Sequence, residues 1–494
     1  MSDQPENEDR VDGVEGTQPT DAGASPSEKP KKKRFAWFRG RSLKFWFRTL
    51  LLLVLAYVVL VPFARPLLVM AWSVMPLIVL PLVGIPFGIY LLRRNWRKCG
   101  TAMVILTILA TGAVTAGNFT GWFVESQIAS FIHPQAITKM PTTINNRIIA
   151  RPTALHYAEN SNSDNRLRIG RPHILTDLKT DTMYWQVPLH YTVWYGEIFG
   201  STGGIVRVNA ADTGQDAKTM DNSGFLFGDE SWVAKAMFAW FHPLSDPAEV
   251  VYWQNDDGSW SLLVSYVTYK PTIAGVMIPK IGGVMEISQY GIPSNHSVED
   301  AAAKFPGAAL FPEELGRKYA QSYAKYKHGL LNYFVTQKDI LMLSEDPSLP
   351  AEETGGNNLP HYIEFEGLGL QLIAPMEPNG KTSAAMKEVL FFDGVTGAAR
   401  SLEVKDSQGR VLNGPRQART NVHKADNQAD WPDFASLEPK LIAKGDQRFW
   451  LFTVNRKGDE QHAFVMLVLV NGYTLDAKKF DSDEALKQYL DSLQ

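Results

Sequence analysis

Cysteine is almost absent from this sequence, since Cys99 is the single cysteine among 494 residues. The sequence therefore excludes an intramolecular disulfide, and outside the membrane-proximal part it excludes a thiolate zinc site and a cysteine nucleophile. Cys99 lies between two apolar runs, where a plain interfacial residue is a more ordinary interpretation than a palmitoylated one.

Catalytic motifs are also missing. The sequence has no His-Glu-x-x-His and no Gly-x-Ser-x-Gly, and histidines such as His156 and His190 are widely spaced. The segment 322–325 has the Ser-x-x-Lys spacing of a serine nucleophile but lacks its partner motifs, and the glycine-rich loop 200–204 lacks the lysine of a phosphate-binding loop. We therefore predict no catalytic, cofactor-binding or metal-binding residue.

An excess of positive charge is missing from most of the chain. Residues 99–494 carry 34 Lys or Arg against 44 Asp or Glu, whereas residues 1–98 carry 15 against 8. Nucleic-acid affinity depends largely on cations that neutralise phosphates, so the acidic region is a poor candidate for that partner. The basic excess of the first 98 residues instead indicates a membrane surface.

Charge is entirely absent from three long apolar runs, 49–64, 67–92 and 101–119. Each is long enough, with its flanking residues, to cross a hydrocarbon core of about 30 Å, which predicts transmembrane helices at about 45–64, 67–92 and 101–120. Three prolines interrupt the second run, so we expect that helix to be kinked or broken. Because no ionisable residue lies inside the runs, they are more typical of an anchor than of a transport path.

The distribution of cations predicts the orientation of these helices. Nine Lys or Arg lie close to the first run, within residues 29–48, Arg65 alone separates the first run from the second, and four follow the second. Positive segments stay in the cytoplasm, so the N-terminus should be inside and everything after the third helix outside. The membrane-surface cations are Lys31, Lys32, Lys33, Arg34, Arg93, Arg94, Arg97 and Lys98. The basic stretch 29–48, with its interleaved aromatic residues, also resembles a nucleic-acid or nuclear-import signal, but the adjoining apolar run favours the bilayer.

The rest of the chain consists mostly of short, aromatic-rich, alternating segments separated by Gly, Asn, Asp and Pro, which is a β pattern. One loose unit of two strands and a polar turn occurs four times, at 183–214, 251–291, 361–397 and 448–472. Acidic helix signals follow the second and fourth units, where Ser297 and Ser482 should act as N-caps. The predicted fold is therefore an α+β extracytoplasmic domain of antiparallel sheets with packed helices, built from repeated units, behind three N-terminal transmembrane helices.

These patterns divide the chain into five parts. They are a disordered acidic tail ending in a polybasic run over 1–34, a membrane domain over 35–122, an α+β region with two units over 123–300, a helical segment over 301–345, and an α+β region with two more units over 346–494.

The strand-and-turn segments 205–214 and 389–397, with the strands before them, resemble the PepSY domain. That resemblance implies small extracytoplasmic α+β modules that are often tethered to a membrane and proposed to inhibit or regulate peptidases. The family defines no catalytic residue, so the resemblance assigns none to this chain.

Two aromatic-rich features are candidates for contact with the membrane or a partner. The segment 312–334 should form one long helix whose tyrosine stripe packs on a sheet. The segment 229–242 should form a short apolar helix, packed in the core or docked on the membrane. The candidate contact residues are Trp232, Trp240 and Phe241 in that helix, with Trp194, Tyr195 and Phe199 in a predicted loop.

Taken together, the sequence predicts a multi-pass protein of the inner membrane whose external domain binds, scaffolds or regulates another envelope protein or peptide. One alternative is a channel, transporter or secretion component that uses the kinked second helix. Another is an envelope enzyme with a site that no motif reveals.

The orientation can be tested with a reporter enzyme that is active only outside the cytoplasm. We expect a fusion after residue 140 to be active and a fusion at residue 96 to be inactive, because the cations near residue 96 hold that connection inside. The opposite pair of results would reverse the orientation.

Overall fold

The computed structural model describes residues 43–493, except 95, 215–216, 273–274, 346–359, 381–384, 405–408 and 458–462. The predicted acidic tail and the cations Lys31, Lys32, Lys33 and Arg34 lie outside the described residues.

Twelve α-helices occur within the described residues. They are α1 Leu43–Ser73, α2 Met75–Arg93, α3 Arg97–Thr120, α4 Trp122–Phe131, α5 Arg151–Ser161, α6 Trp194–Phe199, α7 Trp232–Phe241, α8 Val298–Lys304, α9 Glu313–Tyr326, α10 Gly329–Leu331, α11 Pro415–Arg419 and α12 Asp483–Asp491.

The first three helices are long and apolar enough to cross a membrane, over Lys44–Ser73, Met75–Arg93 and Arg97–Gly117. Most of their side chains are exposed in the described chain, and few are buried, among them Val61 and Val69. An exposed apolar helix of this length needs a nonpolar surrounding, so these helices make the protein a membrane-anchored one.

The predicted boundary between the first two helices is wrong. Arg65 lies inside α1 rather than in a connection, and the break between α1 and α2 falls at Val74. Pro62 and Pro66 are accommodated within α1, because a proline removes one backbone hydrogen bond that a long helix can lose. Likewise α2 is continuous through its internal prolines rather than broken there.

Helices α2 and α3 pack along each other through glycine. A Cβ placed on Gly88 would lie 2.6 Å from Cγ2 of Val104 and 3.2 Å from the carbonyl oxygen of Gly100. The two backbones therefore approach closely where neither helix has a side chain, as small residues allow in membranes.

The region that follows α4 folds into four sheets that are antiparallel apart from one short parallel pair, which joins residues 135–136 to residues 400–401. Sheet I contains β3 Leu167–Ile169, β4 His173–Asp177, β5 Thr182–Tyr191, β6 Thr202–Asn209 and β7 Ala217–Thr219. Sheet II contains β8 Asp246–Gln254, β9 Trp260–Pro271, β10 Met277–Ser288 and β11 Pro293–His296.

Sheet III contains β1 Gln135–Ala136, β2 Thr143–Ile144, β12 Leu341–Leu343, β13 His361–Phe365, β14 Gly369–Pro378, β15 Glu388–Asp393 and β16 Ala399–Glu403. Sheet IV contains β17 Phe434–Lys444, β18 Gln447–Arg456, β19 Phe464–Asn471 and β20 Ala477–Phe480. The expected domain of antiparallel sheets and helices is therefore present.

Each of the four proposed repeat units falls in a different sheet, in chain order from I to IV. The repetition of one unit stays a prediction. Sheets II and IV each have four strands in chain order, whereas sheets I and III have five and seven strands in other orders. The two helix starts are confirmed in detail. Ser297 accepts a hydrogen bond from the Asp300 backbone N–H at the start of α8, and Ser482 does so from Ala485 at the start of α12.

The predicted long tyrosine helix is shorter than expected. Helix α9 ends at Tyr326, and the chain turns through Gly329, whose φ of +82° is a left-handed conformation that favours glycine. A short π-helical segment follows over Asn332–Thr336. Tyr319 is 5% exposed and packs in the core, as its position in the stripe predicts.

One large apolar core joins all four sheets. It contains Trp185 of sheet I, Ile278 of sheet II, Leu372 of sheet III and Leu451 of sheet IV, together with Tyr319 of α9. The four sheets are therefore not separate modules, because each buries part of its inner face against the others.

We expect the substitution Gly88→Leu to destabilise the α2–α3 pair by about 1–3 kcal/mol, because the new side chain must displace Val104 or the α3 backbone. Thermal unfolding of the purified full chain in detergent would measure the loss. Gly112→Leu in α3 is the matched control, since nothing lies within 4 Å of a Cβ at that position. Equal melting temperatures for the two variants would contradict close packing at Gly88.

Candidate functional site

Helix α7 lies against the second half of α1. The Tyr57 hydroxyl donates a hydrogen bond to the Trp240 carbonyl oxygen at 2.7 Å, and the Trp240 indole N–H donates to the Val58 carbonyl oxygen at 2.9 Å. Phe63 packs beside Trp232, with 6.1 Å between the ring centroids. The apolar helix predicted at 229–242 is thus attached directly to a candidate membrane span.

Arg65 contacts the same region of the sheet domain. Its guanidinium donates to the Ser245 carbonyl oxygen at 2.8 Å and pairs with the Asp246 carboxylate at 3.2 Å. It also lies 5.8 Å from the Phe238 ring centroid. These partners compensate the charge of Arg65, so α1 can continue past this residue.

The structure divides the six aromatic candidates between two short helices. Trp232, Trp240 and Phe241 are in α7, as predicted. Trp194 and Phe199 are in α6 rather than a loop, because residues 194–199 close one helical turn that Gly200 ends in a left-handed conformation. The side chain of Tyr195, the remaining candidate, lies outside the described part of the structure.

Exposure separates these candidates further. Trp194 is 72% exposed, and Trp232 and Phe241 are each about half exposed, whereas Trp240 is partly buried against α1. The predicted inner-face cations that are described form one exposed group, with Arg93 and Arg94 at the end of α2 and Arg97 and Lys98 at the start of α3.

A second feature, which we call the polar cleft, is an open cavity of about 830 Å³ between sheets I and II and α8. Its charged lining residues are Asp177, Lys179, Arg207, Asp256, Asp257, Glu286 and Lys304. Its volume is within the range of ordinary ligand sites, which is about 300–1,000 Å³. The lining combines both signs of charge within one cavity.

Arg207 is the most shielded cation of the polar cleft. Its side chain is 12% exposed, and its guanidinium lies 5.1 Å from the Trp260 ring centroid and 5.5 Å from that of Tyr184. The nearest carboxylate, Asp177, is 3.6 Å away. Burial lowers the pKa of Arg207, yet an arginine stays protonated, so the cleft presents a fixed positive charge between aromatic rings.

Glu286 on β10 is the most strongly bonded carboxylate of the polar cleft. It accepts hydrogen bonds from Lys304 at 2.7 Å and from Ser261 at 2.8 Å, and it contacts His296 Nε2 at 2.8 Å. Burial alone would raise the pKa of Glu286, but these bonds outweigh it and lower the pKa to about 2. The carboxylate is therefore ionised at every physiological pH and has no proton to donate.

A third feature is a buried charged centre where the four sheets meet. Arg147 and Glu438 pair at 2.5 Å with side chains that are 2% and 1% exposed, and the Arg147 guanidinium lies 4.5 Å from the Trp185 ring centroid. Arg151 pairs with both carboxylate oxygens of Glu313 at 2.9 Å. The Arg151 backbone N–H donates to the other oxygen of Glu438 at 2.9 Å, which links the two pairs.

Glu438 and Lys440 reach this centre through a bulge in β17. The pairing of β17 with β18 shifts between Leu437 and Lys440, and Glu438 has a φ of +44°. The bulge turns both charged side chains inward, where Lys440 Nζ donates to the Ile148 carbonyl oxygen and the Thr453 hydroxyl. Burial lowers the pKa of Lys440 to about 7, against the opposing effect of Glu438.

Glu249 on β8 adds a second carboxylate beside Glu313. The Glu313 backbone N–H donates to Glu249 at 3.3 Å. Burial and the neighbouring Glu313 charge raise the pKa of Glu249 to about 7. Within the described ranges no three His, Cys, Asp or Glu residues could together hold a metal ion.

Sequence reasoning missed the polar cleft and the charged centre because neither follows a motif. The available signal was a charged residue inside an apolar β segment, as for Arg207 in β6 and for Glu438 and Lys440 in β17. Such residues need partners when they are buried. The sequence does not say which distant strand supplies them.

Comparison with known proteins gives no family for this chain. No family model matches it, and no curated protein matches it. Among solved structures, an endo-arabinase from Bacteroides thetaiotaomicron aligns over 69% of this chain and 83% of its own, at 11% identity and a TM-score of 0.17. A score this low supports no statement about fold or activity, and the PepSY resemblance stays a prediction from the motifs.

We expect Glu249→Gln to change the pH dependence of stability. A carboxyl whose pKa is raised on folding, here to about 7, stabilises the fold below its unfolded pKa, and that stability is lost as the pH rises through 7. The variant and wild type should be alike at pH 4.5. At pH 8 the variant should be more stable than wild type by about 1–2 kcal/mol, because only wild type then holds an ionised carboxylate at position 249. Residual solvent contact makes this difference smaller than the full change in the pKa would give.

Apparent melting temperatures of the full chain in detergent between pH 4.5 and 8 would measure this difference. Glu314→Gln is the control, since Glu314 is the exposed neighbour of Glu313. A constant offset between Glu249→Gln and wild type across the range would refute the raised pKa.

Proposed function

We propose that this chain is a membrane-anchored binding protein of the cell envelope, whose external domain holds a segment of another envelope protein or a peptide in the polar cleft. The tail and the exposed cations at the α2–α3 connection lie in the cytoplasm under this proposal, and the four sheets lie outside. The observation that carries the proposal is the polar cleft itself.

The chemistry of the polar cleft supports a peptide segment as ligand. Arg207 offers a fixed positive charge flanked by the rings of Trp260 and Tyr184, which suits a carboxylate or a carbonyl oxygen. Asp256, with a side chain that is 95% exposed, and Asp257 offer negative charge at the rim. A peptide carries both kinds of group along one chain, so a cleft with both signs of charge can fix its direction.

Binding accounts for the polar cleft better than acid catalysis does. Hydrolysis assisted by a pair of carboxylates needs one with a raised pKa that can donate a proton. Among the carboxylates of this cleft, Glu286 and Asp257 both have lowered pKa values, because hydrogen bonds from Lys304 and from Ser259 respectively stabilise their ionised forms.

The anchor role of the membrane helices also has positive support. The close approach of α2 and α3 at Gly88 and Gly100 fills the space between these two helices, and a path for a solute would need room there. The contacts of Arg65 with Ser245 and Asp246 join α1 to the external domain, as an anchor requires.

We expect a photo-crosslinking amino acid at Leu178 to capture a discrete partner in intact cells. Leu178 lines the polar cleft and is 54% exposed, so a bound segment would pass within reach of it. The same residue at Val411, which is 44% exposed and outside the cleft lining, is the matched control. Gel shift followed by mass spectrometry would identify the adduct.

Charge reversal at the rim makes the crosslinking experiment specific. Asp256→Lys should abolish the Leu178 adduct, whereas Glu484→Lys, at an exposed position on α12, should leave it intact. Equal adducts from positions 178 and 411, or an adduct that is indifferent to Asp256→Lys, would argue against the polar cleft as the binding site.

A further inference from the structure

We propose that one apolar surface of the external domain is immersed in the lipid bilayer beside α1, at the boundary between headgroups and acyl chains. The aromatic patch is defined by Trp194, Phe199, Leu226, Trp232, Tyr290 and Ile292. Its partner is the lipid itself, so the domain is held to the membrane by its own surface as well as by α1 and α3.

The exposure of the aromatic patch is unusual for a surface facing water. Its six residues are between 43% and 81% exposed, with Tyr290 at 81% and Trp194 at 72%. Aromatic side chains expose on the order of 100 Å² each at such fractions, so the patch reaches several hundred Å², the upper range for soluble monomers. A surface of this kind marks an interaction site.

Contacts between α6, the segment before α7 and the turn between β10 and β11 make the patch continuous. Phe199 of α6 packs near Phe227, with 6.5 Å between ring centroids, and Phe227 closes against Gly291 in the turn between β10 and β11. The Leu226 backbone N–H donates to the Gln289 carbonyl oxygen at 3.1 Å. Residues that are distant in sequence are therefore fixed side by side.

The patch also continues directly into α1. Gly228 donates its backbone N–H to the Gly200 carbonyl oxygen, which joins α6 to the start of α7, and Trp232 of α7 packs against Phe63. Tyr57 and Val58, bonded to Trp240, precede Arg65 by seven or eight residues, or about 10–12 Å along the helix. The α7 surface therefore lies at the depth of the apolar part of α1.

The composition of the surface favours lipid over a protein partner. Tryptophan and tyrosine concentrate at membrane interfaces, where an apolar ring can be buried while its polar atom stays hydrated. The exposed cation of α7, Lys235, donates to the Glu230 carbonyl oxygen, and a lysine in this place can extend toward headgroups. The patch adjoins α1, an apolar helix that is long enough to cross a membrane, so lipid around α1 would also contact the patch.

The lone cysteine makes this proposal directly testable. In a Cys99→Ser background, a nitroxide label is attached to Leu226→Cys or Ile292→Cys in the patch, and to Leu178→Cys or Val411→Cys as exposed apolar controls elsewhere. The full chain is reconstituted in vesicles of phosphatidylcholine and phosphatidylglycerol. Collision rates with oxygen, which concentrates in lipid, and with a nickel chelate, which stays in water, are then compared for each label.

We expect the ratio of oxygen to nickel collisions to be roughly threefold or more higher at positions 226 and 292 than at 178 and 411, as for an interfacial segment. Equal ratios at all four positions would overturn the proposal. Exclusion of both reagents at 226 and 292, with spin–spin broadening, would overturn it in favour of a second copy of this chain.

These outcomes are independent of the proposed binding function. The vesicle experiment contains no partner protein, so the control label at Leu178 in the polar cleft reports only the exposure of that position to water. Failure of the crosslinking at Leu178 would leave the collision ratios unchanged, and failure of the collision experiment would leave the cleft adduct unchanged. Melting temperatures equal to wild type would confirm that each labelled variant is folded.

Discussion

The fold depends on one buried ion pair, Arg147 with Glu438. Its two side chains are almost wholly shielded from water, and around them Arg147 contacts Trp185 of sheet I while its guanidinium donates to the Tyr362 carbonyl oxygen of sheet III at 3.4 Å. Glu438 belongs to sheet IV, so three sheets meet at one guanidinium. Removing one member of such a pair costs about 3–5 kcal/mol, because the other charge is left buried alone. The pair therefore specifies how the sheets are placed against an otherwise apolar core.

The same constraint extends to the fourth sheet and to α9. Arg151 shares Glu438 with Arg147 and binds Glu313 at the start of α9, while Glu249 of sheet II accepts a hydrogen bond from the Glu313 backbone. Apolar side chains pack in many alternative arrangements, but a buried network is satisfied in few. The left-handed backbone of Glu438 at the β17 bulge is retained because this network holds the residue in place.

Polar contacts join the apolar helix α1 to the sheet domain. Arg65 would be costly inside a membrane span, and the contacts with Ser245 and Asp246 supply the partners it needs. The hydrogen bonds between α1 and Trp240 place α7 beside that span. The polar cleft opens between sheets I and II, whereas the aromatic patch adjoins α1. The polar cleft thus has the chemistry to bind a polar segment, and the aromatic patch has the chemistry to contact lipid.

The sequence by itself determined the elements whose signal is local. Uninterrupted apolar runs identify three membrane helices, alternation identifies strands, and Ser297 and Ser482 identify two helix starts, because each signal depends on neighbours within a few residues. Local rules failed at Arg65, where the outcome depends on a distant partner, Asp246. Only the tertiary structure decided which strands share a sheet and which charges meet at Arg147 or line the polar cleft. Residues up to 291 positions apart, such as Arg147 and Glu438, make those contacts, and no local pattern encodes such a pairing.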